Sequence, residues 1–97
     1  MNVFLGAYHF DGEPTVLVAA YDRLMRSFPP DAVELHMCIV LATGITVFDA
    51  CPSRDVFASF SQSDGFLSAV GAAGLPEPRV ELLGDVHASR VRTVEPR

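Results

Sequence analysis

The 97-residue chain contains no tryptophan, and its two cysteines, Cys38 and Cys51, are too few for a disulfide framework. It has no apolar run of the roughly eighteen residues that a membrane-spanning helix needs. Its start, MNVFLGAYHFDG, lacks the basic segment and small-residue cleavage site of a secretory leader, so the expected compartment is the cytoplasm. In that reducing setting the two cysteines are expected to stay thiols, buried as small apolar side chains. Basic residues are scarce and scattered, seven against twelve acidic ones, for a net charge of −5. That balance offers no stripe for a phosphate backbone and is repelled by an anionic bilayer, which argues against nucleic acid and membrane as partners. No Gly-x-Gly-x-x-Gly run follows a strand and no phosphate loop occurs, so a nucleotide cofactor has no seat. Ser59, Ser61, Ser63 and Ser68 crowd one segment without a nucleophile elbow. His9, His36 and His87 lie too far apart for a zinc motif, and neither a metal nor any other cofactor is expected.

What the chain has in abundance is apolar side chains. Hydrophobic residues make up 49% and charged ones 20%, with a mean hydropathy of +0.29, which is apolar for one small domain. A domain of this length buries only roughly 60 to 65% of its unfolded surface, so association is expected to help it, and a homodimer is the simplest form.

Asn2 to Phe10 is apolar on both faces, as in a central strand, with Val3, Leu5 and Ala7 on one and Phe4, Tyr8 and Phe10 on the other. Asp11-Gly12-Glu13-Pro14 breaks it and opens a helix. Leu17, Ala20, Tyr21, Leu24, Met25 and Phe28 recur there at helical steps until Pro29 and Pro30 stop it. Val33 to Leu41 and Ile45 to Cys51 read as a hairpin turning at Thr43-Gly44, which pairs Val40 with Val47, Cys38 with Asp49 and His36 with Cys51. One hairpin face is aliphatic, with Leu35, Met37, Ile39, Phe48 and Ala50; the other mixes Glu34, His36, Cys38, Val40, Val47, Asp49 and Cys51. Ser53 suits the N-cap of a second helix, interrupted over Ser61 to Gly65 and stopped by Gly74. Val80 to Ser89 reads as a last strand broken near Gly84.

The order β-α-β-β-α-β is that of a ferredoxin-like α+β domain over residues 1–91, an antiparallel four-stranded sheet with two helices on one face, followed by an exposed tail, 92–97. The other sheet face, carrying Tyr8 or Ala7, Val40, Val47 and Leu83, needs a second cover. The same face of a second copy supplies it, closing two sheets into a barrel. A pocket between each sheet and its helices or its partner, bearing Tyr8, Cys38, Val47, Cys51 and His87, is then expected to take a small apolar or aromatic ligand. In it, His36 beside Asp49 forms a His–carboxylate pair, the acid orienting the ring and raising its basicity, suited to deprotonating a phenol or enol. Tyr8 and His87 are placed to hydrogen-bond the ligand's oxygens. The same residues equally fit a structural role, with His36 a satisfied core histidine and Asp49 capping a backbone amide.

The segments YDRLM (Tyr21 to Met25), GITVFDACPSRDVFASF (Gly44 to Phe60) and GLPEPRVELLGDVH (Gly74 to His87) resemble small actinobacterial proteins of the dimeric α+β barrel superfamily, of the antibiotic-biosynthesis-monooxygenase type. The resemblance covers most of the chain and implies a homodimeric barrel. It matches His36 and His87 to histidines that relatives often carry in the second and last strands. It also implies a cofactor-independent monooxygenase acting on a small aromatic or polyketide-like substrate, in which an electron-rich carbanion reacts with oxygen without a metal. Where relatives usually have Trp or His after the third strand's valine, this chain has Cys51, and no indole can take part. A non-catalytic ligand-binding or structural dimer is the alternative, since one scaffold hosts many activities.

Overall fold

The structure, a computed structural model, describes residues 3–28 and 35–90. The elements run β1 (Phe4–Asp11), α1 (Pro14–Met25), β2 (Leu35–Leu41), β3 (Gly44–Cys51), α2 (Arg54–Ser61), α3 (Asp64–Ala73) and β4 (Arg79–Asp85). The strands make one antiparallel sheet in the order β2-β3-β1-β4, the ferredoxin-like α+β arrangement. Pro29, Pro30, Val33, Glu34 and the expected tail 92–97 lie outside the described residues.

Local chemistry sets the element ends. Glu13 caps α1, its carboxylate accepting the Val16 N–H at 3.0 Å, and Pro14 sits in the first turn, where a missing N–H does no harm. The long second helix is cut in two at Ser63. The Ser63 hydroxyl donates to the Phe60 carbonyl at 2.8 Å and accepts the Phe66 N–H at 3.2 Å, closing α2 and opening α3 with one group. Ser63→Ala is therefore expected to lower stability by about 1 kcal/mol with an unchanged denaturant slope in urea unfolding. Gly74 ends α3 in the left-handed region at φ 96°, and the Leu75 N–H reaches back to the Val70 carbonyl. Arg23 of α1 donates through Nε to the Ala73 carbonyl at 3.0 Å, which ties α1 to the negative end of α3.

The hairpin turn falls at Ala42-Thr43 rather than at Thr43-Gly44. Leu41 pairs with Gly44, so Val40 faces Ile45, Cys38 faces Val47 and His36 faces Asp49. The register differs by two residues from the one the turn signal predicts, a slip that leaves every side chain on its expected face. Gly44 is required by crowding rather than by a turn. A Cβ there would meet the Phe10 carbonyl oxygen at 2.1 Å, because β1 presses against it at Asp11.

The two sheet faces also exchange covers relative to the sequence reading. The helices lie on the mixed face, the one with Tyr8, Val40 and Val47, and the aliphatic face is the open one. Met37, Ile39 and Leu41 are 45%, 38% and 46% exposed. The reason lies in β1. Phe4, Tyr8 and Phe10 all point to the mixed face, and Gly6 between them leaves the gap that receives Phe57 of α2. Phe57 stacks on Tyr8 at 5.2 Å and tilts against Phe4 at 6.1 Å, while Phe66 of α3 lies 4.9 Å from Tyr8. Burying this aromatic cluster removes more apolar surface from water than burying the aliphatic row on β2. Leu83 sits at a register shift opposite Leu5 and Gly6, on the edge strand and half-exposed.

Candidate functional site

Between the mixed sheet face and the helices lies a cavity of about 460 Å³, within the usual range for a small-molecule site. The sheet contributes Tyr8, Phe10, His36, Val47, Asp49 and Cys51, and α1 contributes Tyr21, Leu24 and Met25. Val56 and Phe60 of α2, Phe66 of α3, and the loop residues Phe28 and Pro52 complete the wall. The wall is apolar and aromatic, and among the described residues no arginine lines it.

One polar chain enters this wall. Because His36 stands directly opposite Asp49 on adjacent antiparallel strands, their side chains meet on the same face, Nδ1 to Oδ1 at 2.5 Å. A carboxylate only accepts, so Nδ1 carries the proton, and in the neutral ring Nε2 is the acceptor. The Tyr21 hydroxyl, descending from α1, donates to that Nε2. The two rings lie nearly parallel, with centroids 5.7 Å apart at 11°. Asp49 is the more enclosed end, its side chain 10% exposed against 29% for His36. Burial, reinforced by negative charge at Cys38, Asp49 and Asp22, pushes the Tyr21 phenol up to about 12, so it stays a donor.

Tyr8 is 2% exposed, and its hydroxyl has no hydrogen-bond partner among the described residues. Burial first, then the charges of Asp49 and Cys51, raises its pKa, so it too remains a neutral donor. Of the residues singled out from sequence, Tyr8, His36, Val47, Asp49 and Cys51 come together around the cavity. Cys38 packs against the core beside it without lining it, and burial followed by the charge of Asp22 raises its thiol, which disfavours a reactive thiolate. His87 is not brought to the cavity. It lies exposed beyond β4, near Leu5 and Asp85. The strand order explains this: β2 and β4 are opposite edges of the sheet, three strand spacings or about 14 Å apart. His9 points to the open face, where its ring contacts Thr46 Oγ1 at 3.0 Å and Glu81 Oε1 at 2.9 Å. Among the described residues, no three His, Cys, Asp or Glu side chains gather as a metal would require, and no helix is long and apolar enough to cross a membrane.

Tyr21 is the residue that sequence reasoning missed. Helical periodicity places it in the apolar stripe of α1 beside Leu17 and Leu24, and a ring in such a stripe reads as core. The available signal was its hydroxyl, since a tyrosine buried on an aliphatic stripe needs a partner for its polar tip. No family model, curated protein or solved structure matches this chain.

Proposed function

We propose that this protein binds a small, flat, apolar and partly oxygenated molecule and acts on it as a cofactor-independent monooxygenase-like enzyme. The observation that carries the reading is the His36–Asp49 pair, 2.5 Å apart, in the wall of an apolar cavity of about 460 Å³. His36 takes the proton of a phenol or enol, and the Asp49 carboxylate, accepting the Nδ1–H, stabilises the imidazolium that results. The electron-rich carbon of the ligand anion passes its electron pair to dioxygen. A C–O bond forms, and the proton returned by His36 makes the peroxide a hydroperoxide. Loss of the remaining C–H proton from that carbon as the O–O bond breaks leaves one oxygen on the ligand as a carbonyl and releases the other as water. The aromatic wall and the family resemblance both favour an aromatic or polyketide-like substrate. In this reading the chain works in the cytoplasm.

His36→Gln is expected to leave the fold intact and to lower turnover by about a hundredfold or more, followed as dioxygen uptake with hydroxylated aromatic substrates. Unchanged uptake would remove His36 as the base. A second reading has its own observation: Tyr21 already occupies Nε2, so the polar chain can be a satisfied strut in a non-catalytic ligand-binding dimer. That reading expects ligand binding with no dioxygen uptake in the wild type.

The dimer belongs to the same proposal. Met37, Ile39 and Leu41 form an exposed apolar row on β2, and Leu83 adds a further exposed leucine near the other edge. The same face of a second copy is a self-complementary cover, and a stable interface needs about 800 Å² from each partner. Sedimentation equilibrium is expected to return a dimer for the wild type and a monomer for Ile39→Glu. A monomeric wild type removes the barrel from the proposal.

A further inference from the structure

We infer that Tyr21 is the residue that receives the ligand's hydroxyl and passes its proton on to His36, so that His36 acts through Tyr21 rather than touching the ligand. The inference rests on the cavity reading above and adds to it the contact residue and the path of the proton.

Both imidazole nitrogens are already engaged. Nδ1–H is held by the Asp49 carboxylate, and Nε2 accepts from the Tyr21 hydroxyl. No ring nitrogen of His36 is left over for a ligand, although the ring lines the cavity. The Tyr21 hydroxyl has one proton, and that proton points at Nε2. What Tyr21 offers to the cavity it lines is therefore the lone pairs of its oxygen, an acceptor that matches a ligand O–H. Tyr8 offers the opposite polarity. Tyr8 lines the same cavity, and its buried hydroxyl, which has no acceptor among the described residues, is left to donate to a second ligand oxygen. An acceptor at Tyr21 and a donor at Tyr8, with no arginine lining the cavity among the described residues, describe a site for a neutral hydroxylated ligand rather than a carboxylate or phosphate.

The proton then moves by two linked transfers. The ligand O–H bond breaks and its proton goes to the Tyr21 oxygen, while the Tyr21 O–H bond breaks and that proton goes to His36 Nε2. The ligand keeps the electron pair as an anion, Tyr21 is neutral before and after, and the imidazolium sits against the Asp49 carboxylate. A phenol held up at about 12 does not store the charge itself, which suits a conduit rather than a resting base.

The test uses the full chain and three probes of one shape: naphthol, which donates a hydrogen bond, methoxynaphthalene, which only accepts, and naphthalene, which does neither. In fluorescence titrations of the wild type, naphthol is expected to bind about tenfold more tightly than methoxynaphthalene, the worth of one buried hydrogen bond. In Tyr21→Phe the two are expected to bind alike, with naphthalene affinity held within about twofold as a check that the cavity persists. With a more acidic nitronaphthol, nitrogen NMR is expected to show a protonated His36 Nε2 in the wild type and not in Tyr21→Phe. If the naphthol preference and the Nε2 protonation both survive Tyr21→Phe, the ligand meets His36 directly; the relay is overturned and the cavity reading stands. If the wild type binds none of the three probes, the cavity reading falls and takes the relay with it. Should Tyr21→Phe fail to fold, fluorotyrosine can be incorporated into Tyr8→Phe, where Tyr21 is the sole tyrosine. Its fluorine resonance is expected to move with naphthol and not with methoxynaphthalene, and equal movement overturns the relay.

Discussion

Gly6→Ala is expected to cost about 3 kcal/mol of folding stability, the upper end for overpacking a core, and Phe57→Leu in the same chain to give part of it back. A Cβ at position 6 would lie 2.1 Å from Cζ of Phe57 and 2.3 and 2.4 Å from its two Cε atoms. That ring is fully buried between Phe4 and Tyr8, so it cannot swing into solvent to make room. Moving the backbone instead would pull β1 from β3 and β4, its partners on either side. In a domain whose whole stability is about 5 to 15 kcal/mol, such a loss is a large share. Phe57→Leu alone leaves a void and destabilises too, but the two changes occupy the same space. The double variant is expected to lose less than the two single losses combined, by about 1 to 2 kcal/mol in a urea double-mutant cycle. Strict additivity would mean that Phe57 does not fill the gap at Gly6.

The second large effect is alkaline. With no tryptophan and two tyrosines, the phenolate absorbance band, which lies at longer wavelength than the phenylalanine band, reports on Tyr8 and Tyr21 alone. Burial raises both phenols, Tyr21 from 10.0 to about 12 and Tyr8 further still. A folded pKa above the unfolded one stabilises the protein fully below pH 10, and that contribution is lost as pH climbs through about 12. The folded chain is therefore expected to show almost no phenolate at pH 10. Above that, both tyrosines should ionise in one step coincident with loss of the circular-dichroism signal. A single phenolate appearing at pH 10 with the fold intact would mean that the Tyr21 hydroxyl is solvated and its link to His36 absent.

The candidate site was half legible before folding. His36 and Asp49 sit at positions of opposite parity on two strands joined by a two-residue turn, so alternation on either side of that even-length turn puts them on one face, and a two-residue error in register does not change that. Register itself was misread, because Gly44 looks like a turn residue and is instead held small by the Phe10 carbonyl. By strand alternation His87 is as good a pocket residue as His36, but strand order puts them at opposite edges. Tyr21 was hidden by its own helical spacing, which is the same for a core ring and for a ring whose hydroxyl has a task.

The residue pattern by itself determined the element order, the antiparallel α+β class, the capped and broken second helix, and which side chains share a face. All of these follow from periods of two or 3.6 residues and from Gly, Pro and Ser at the breaks, which act over a few neighbours. Only the tertiary structure decided which sheet face the helices cover, which strand edge each histidine reaches, and that a helix side chain completes the Asp49–His36 chain. Those outcomes depend on how distant surfaces fit, above all on the ring of Phe57 entering the space at Gly6, and no local period carries that information.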